Sequence, residues 1–300
     1  MANKRKIDPL SIRIIIEIVV LVTVLVLLLV GIGSVWASIG ESDDKTDSTA
    51  DTGAGSSAQD TTPPTETTPP DTSPHGVMEA FLAEHGLSYE DYPQFVLDSY
   101  QTCSGFFGPG FETRDFLLNY PLKYGQVYNT DISGLDRSNG VPLILQWDER
   151  WGYLDYGVSI CGIGGCGPTS LSMVAYYLTG NPEYTPVYMM ELAKNGHHVI
   201  PTGGTDWSLF GTGAVELGFK VEELPAVERT ITKRLEAGIP VVVNVGPGTF
   251  TTTGHYMVLV GYENGMFRIN DPNSVEFSSR LWAWSEFVDQ VRNFWAISLP

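Results

Sequence analysis

Cysteine is scarce in this protein: three in 300 residues, at Cys103, Cys161 and Cys166. Three are too few for a disulfide-stapled scaffold. In an oxidising space Cys103 and Cys161 could pair and leave Cys166 free, or all three could stay thiols. Basic residues are also few, 17 Lys and Arg against 35 Asp and Glu, for a formal net charge of −18. A field of that sign disfavours nucleic acid or an anionic membrane surface as a partner. The sequence lacks a GxxxxGK[ST] phosphate loop. Cys161, Cys166 and the pair His197-His198 make only a weak zinc pattern, because no second cysteine pair accompanies them. Gly162, Gly164 and Gly167 spell a literal GxGxxG, but a dinucleotide site needs a buried strand before it. The preceding residues, DERWGYLDYGVS, are polar and broken by glycine.

Long hydrophobic runs are missing, with one exception. Ile18 to Ala37 carries no charge, and at ~1.5 Å per residue it matches one hydrocarbon core. Lys4, Arg5, Lys6 and Arg13 precede it, and Glu41, Asp43 and Asp44 follow it. The expectation is a basic cytoplasmic tail over 1–13 and a single transmembrane signal-anchor over 14–37. The remainder then lies outside the cytoplasm. A cleaved signal peptide, ending near Val35-Trp36-Ala37, would export the same remainder, although its apolar region would be unusually long. Residues 38–75 are rich in Ser, Thr, Pro, Gly and Asp, repeat TTPP twice and carry a net −7. Such composition cannot bury enough surface to fold, so it reads as a disordered, extended spacer.

From Gly76 onward the net charge is −13. Residues 76–140 read as a short helical pre-domain, two or three helices that lead into the main domain, with a loop at Asp131 to Gly140. Residues 141–300 read as that domain. Helical patterns over Pro168–Thr179, Pro186–Asn195, Asp206–Leu217 (this one interrupted by glycines) and Glu228–Ala237 come first. Strand-like runs follow at 241–245, 255–262, 266–270 and 293–299, with ENG between the middle two as a hairpin signal. Helices first and antiparallel strands later is an α+β order.

What the sequence does have is GIGGCGPTSLSMVAYYLTG, Gly162 to Gly180. It sets Cys166 between glycines, directly before a helix start with Pro168 near its first position. Leu171, Val174, Ala175 and Leu178 then form an apolar stripe, and the helix ends at Gly180. A thiol at a helix N-terminus sits where the backbone dipoles favour thiolate, the nucleophilic form. A buried, inert cysteine is the alternative. A cysteine nucleophile needs a base and a group to orient that base. His255 opens a strand in TTTGHYMVLVGY, where the sheet would fix its direction. Asp271, in RINDPNS, follows the hairpin partner of that strand and can lie near the same edge. Gln146, in QWDERW, precedes the cysteine and could donate to an oxyanion.

The blocks QWDERW, GCGPTSLSM, GHYMVLVGY and NDP, in this order, resemble bacterial exported papain-like cysteine peptidases related to the bacteriocin-processing (double-glycine) peptidases. The resemblance covers roughly residues 141–300. It implies a papain-like α+β fold, with a helical half carrying the nucleophile and an antiparallel sheet carrying the histidine. It also implies Cys166 as nucleophile, His255 as general base and acid, Asp271 as its orienting partner and Gln146 beside the oxyanion, with no metal or organic cofactor. The expected activity is hydrolysis of peptide bonds by a membrane-anchored, extracytoplasmic enzyme. Acyl transfer to an amine would use the same residues. This protein departs from the double-glycine transporters in the block around its cysteine, which is not DCGxA, and in having a single apolar span. The alternative is a non-catalytic surface module that binds peptide or glycan through Trp147, Trp151, Trp207 and Tyr256.

Overall fold

A computed structural model describes residues 70–108 and 110–300. The tail over 1–13, the signal-anchor over 14–37 and nearly all of the spacer lie outside these residues. Among the described residues no helix is long and apolar enough to cross a membrane.

Four short helices come first among them: α1 (Pro74–His85), α2 (Gln94–Phe107), α3 (Arg114–Leu118) and α4 (Tyr120–Lys123). Ser73 Oγ caps α1 by accepting from the Gly76 N–H, and Pro74 occupies the first turn, while Gly86 ends the helix at φ 64°. Only glycine adopts that left-handed turn freely. No helix or strand lies between Lys123 and Asp155, consistent with the expected loop around 131–140.

The family-like part begins with a two-residue ladder, β1 (Asp155–Tyr156) against β2 (Ser159–Ile160). Five helices follow in sequence: α5 (Cys161–Gly164), α6 (Cys166–Thr179), α7 (Pro186–Asn195), α8 (Thr212–Glu216) and α9 (Glu228–Glu236). Six strands build one antiparallel sheet: β3 (Lys220–Leu224), β4 (Val241–Val245), β5 (His255–Glu263), β6 (Met266–Asn270), β7 (Leu281–Trp282) and β8 (Val291–Ser298). Their order is β3-β8-β4-β5-β6-β7. Two further helices, α10 (Val275–Ser279) and α11 (Trp284–Phe287), flank β7.

Sequence period explains the layering. Successive strand side chains point to opposite faces, so a strand covered on both sides must be apolar throughout. Val242, Val258, Trp295 and Ile297 enter one core with Leu171, Val174 and Ala175 of α6. Val241, Val243, Met257, Leu259 and Phe294 enter the other, with Ile231 and Leu235 of α9. A third cluster joins α1–α4 to Tyr153 and Ile160 at the front of the family-like part.

Two sequence expectations change. The nucleophile helix starts at Cys166, two residues before Pro168. The stretch Asp206–Leu217 is not one helix but a 3-10 turn, Trp207–Leu209, followed by the short α8. Glycine at Gly211 and Gly213 disfavours a continuous helix there. β3 carries Lys220, Glu222 and Glu223 on an outer edge of the sheet. Charge protects an edge from unwanted pairing, and it also hides a strand from a search for apolar alternation. The ENG hairpin is present, with Glu263 opposite Met266 and both Asn264 and Gly265 at positive φ. That is the backbone of a two-residue primed turn, which Asn-Gly favours.

Candidate active site

The first turn of α6 faces the open end of β5. Cys166 is 9% exposed and lines a cleft of about 720 Å³. It also lines a small adjoining cavity of about 130 Å³ that contains His255 and Gln146. The bare backbone of Gly167 makes this start possible, because a Cβ there would collide with Thr205 of the facing loop.

His255 is buried and its Nε2 lies 2.6 Å from Asp271 Oδ1, which in turn is 1% exposed. With Nε2 facing the carboxylate, Nδ1 is the nitrogen left for the thiol, and Cys166 and His255 line the same small cavity. Burial opposes a charge on His255, but the Asp271 carboxylate and the Cys166 sulfur outweigh it. Together they push the imidazole up from 6.5 to about 10. Asp271 is itself held: its Oδ1 accepts from the Asn273 N–H at 2.7 Å, and its own N–H donates to Ser278 Oγ at 2.9 Å.

Gln146 is placed beside these groups, 2% exposed, with its backbone N–H donating to Pro272 O at 2.8 Å. Its side-chain amide donates to Gly162 O at 3.0 Å and to Ile163 O at 3.3 Å. So the amide braces α5, the short helix that leads into the nucleophile helix. Sequence reasoning gave it only an oxyanion role.

All four sequence-derived site residues therefore meet at one end of the sheet. The other two cysteines are free thiols with different surroundings. Cys161 is fully buried, and desolvation pushes its thiol up to about 12. Cys103 on α2 is also raised by burial. His197 and His198 line neither cavity. His198 is buried, with Nδ1 2.8 Å from Ser208 Oγ. The sheet around the GxGxxG glycines is antiparallel, not the βαβ unit that a dinucleotide site requires.

Sequence reasoning missed Asn244. It is buried in β4, donates to the His255 carbonyl at 3.1 Å and accepts from Trp207 Nε1 at 3.2 Å. A single amide inside the apolar run VVVNV was the available signal, since a buried polar side chain needs partners. Of the four aromatics considered for a binding groove, only Trp207 is well exposed, at 45%. Trp151 is wholly buried, and Tyr256 lines the cleft with 4% of its surface exposed. Reasoning from the sequence also missed α2: Phe95, Asp98 and Ser99 line the main cleft.

Comparison with known proteins identifies the family. The model of the Peptidase_C39 like family matches residues 138–297. The peptidase domain of Streptococcus ComA, a bifunctional ABC transporter involved in quorum sensing, is similar at 23% identity and a TM-score of 0.37. That match spans 53% of this protein and 98% of the domain. A C39-like peptidase from Bacillus anthracis is similar at 20% identity and a TM-score of 0.37, spanning 58% of this protein and 98% of that one. No curated protein matches. The protein belongs to the Peptidase_C39 like family, and its fold is papain-like α+β.

Proposed function

We propose, from this family membership and the geometry of the cleft, that the protein is a cysteine peptidase working through Cys166, His255 and Asp271. The observation that carries the reading is the buried His255–Asp271 contact at 2.6 Å, in a cavity that Cys166 and His255 line together.

In this reading the Cys166 thiol gives its proton to His255 Nδ1, and the sulfur attacks the carbonyl carbon of a peptide bond, forming a C–S bond as the C=O π bond opens. Negative charge gathers on the carbonyl oxygen. The Cys166 backbone N–H, at the start of α6, would donate to that oxygen. The Gln146 amide adds a second donor. To do so it would give up its 3.3 Å bond to Ile163 O, the longer of its two. His255 gives its Nδ1 proton to the departing nitrogen as the C–N bond breaks. It then takes a proton from water, whose oxygen attacks the thioester and releases Cys166. Asp271 stays ionised throughout, fixing the tautomer and stabilising the imidazolium.

Peptide or protein is the proposed substrate class. The membrane anchor and the extracytoplasmic position are also part of the proposal, supported by the uncharged run Ile18–Ala37 and the basic residues before it. The activity is tested by incubating the full-length protein and its Cys166→Ala variant with a complex peptide library and reading new termini by mass spectrometry. Cleavage by the wild type alone supports the reading, and equal cleavage by both proteins sinks it.

A further inference from the structure

We propose that α2 forms a wall of the substrate cleft, and that Phe106 and Phe107 at its end, with Phe250 and Phe277, bind a bulky apolar side chain on the leaving-group side of the scissile bond. The inference rests on the peptidase reading. It concerns residues partly outside the family-matched region 138–297.

Phe95, Ser99, Cys103 and Phe106 are spaced four, four and three residues apart, so they share one face of α2. Ser99 lines both the main cleft and the small cavity that holds Cys166 and His255. Cys103 lines the small cavity too. Phe106 and Phe107 line the next cavity, of about 280 Å³, which shares Phe250, Thr251 and Asn273 with the small one. A last cavity of about 310 Å³ contains Phe106, Phe107 and Phe277. Neighbouring cavities along α2 thus share wall residues, from Trp207 past Cys166 to Phe277.

The polarity of the cleft follows from proton transfer. The departing amine takes its proton from His255, so the part of the substrate after the cut lies on the His255 side. Asn273, whose N–H binds Asp271, lies on that side and lines the aromatic end of the groove. Phe106 is 39% exposed and Phe107 is 40% exposed. Their rings sit 4.5 Å apart, with Phe107 at 6.0 Å from Phe277 and Phe277 at 5.5 Å from Phe250. Aromatic rings left open in a concave surface offer an apolar side chain a place to lose its water.

The experiment uses the full-length protein and two peptides that differ only in the residue after the cleaved bond, Phe in one and Ala in the other. They are built on a sequence the wild type cuts. Expected is a kcat/KM ratio favouring Phe by about 10-fold, the usual return from filling an apolar pocket. The ratio should collapse towards one in Phe107→Ser and return in Phe107→Leu. The ratio is internal to each preparation, so a partly unfolded variant lowers both rates and leaves it unchanged. Wild-type cleavage with no preference, or a preference that survives Phe107→Ser, overturns this inference and leaves the peptidase reading standing. Failure of the wild type to cut any library peptide overturns both.

Discussion

His255 Nε2 and Asp271 Oδ1 stand 2.6 Å apart, both side chains buried, although 16 residues separate them in sequence. The hairpin of β5 and β6 explains it. Pairing runs from Glu263 opposite Met266 back to Val258 opposite Asn270, with a register shift between Leu259 and Gly261. The start of β5 and the end of β6 therefore arrive at the same edge of the sheet, where α6 presents Cys166.

Replacing Asp271 with Asn should lower kcat by roughly 10²–10⁴, since the histidine loses both its tautomer control and the charge that stabilises its protonated form. The alkaline limb of the kcat/KM profile should also move down. In the wild type the carboxylate and the sulfur hold His255 up to about 10, and the Asn variant removes the first of these. A pH–rate profile of both proteins on one peptide checks this. An unmoved alkaline limb would show that Asp271 does not set the charge on His255.

Stability should fall on the alkaline side. The folded value of His255 lies above its ordinary 6.5. Its contribution is therefore complete below about pH 6.5 and is lost as the pH rises to about 10. Thermal unfolding of wild type and His255→Gln between pH 6 and pH 10 should show the difference in Tm shrinking across that window. A difference that grows with pH would contradict the assignment.

The three thiols should react in a set order. Burial holds Cys161 up to about 12 and raises Cys103, so both are protonated near pH 8. Cys166 should be alkylated first in the folded protein, and His255→Ala should remove its lead. Peptide mass spectrometry after brief alkylation distinguishes the three sites. Labelling of Cys161 before Cys166 is the contrary result.

The helical wall should depend on Phe116. Its ring is 7% exposed, stacks on Tyr153 with centroids 4.3 Å apart, and occupies the space a Cβ on Gly162 would need. Phe116→Ala should cost about 3–5 kcal/mol, the usual loss for truncating a buried aromatic. Glu112 is a second tie, accepting from the Val275 N–H at 2.7 Å and the Glu276 N–H at 3.1 Å at the start of α10. Glu112→Ala should cost about 1 kcal/mol, as loss of a helix cap does. Denaturant midpoints measure both, and equal, negligible losses would mean that α1–α4 are not fastened to the rest.

The α+β order, the hairpin and the side chains that meet at the candidate site were all legible in the order of residues. Local signals carried each of these. Glycines and a proline surround Cys166, Asn-Gly closes the turn between β5 and β6, and apolar strands announce the sheet. The nearness of Asp271 to His255 could be inferred because a short turn leaves their strands little freedom.

The role of α2 emerged only on folding. Its face towards the cleft mixes Phe95, Ser99, Cys103 and Phe106, a pattern with no periodic signature of a binding wall. Its proposed role depends on sharing one core cluster with Tyr153 and Ile160, far away in sequence. The two further jobs of Gln146 and Asn244, bracing α5 at Gly162 and Ile163 and pinning the His255 backbone, were likewise set by packing. A side-chain amide can donate to any carbonyl within reach, and which carbonyls come within reach is fixed only when distant segments fold together.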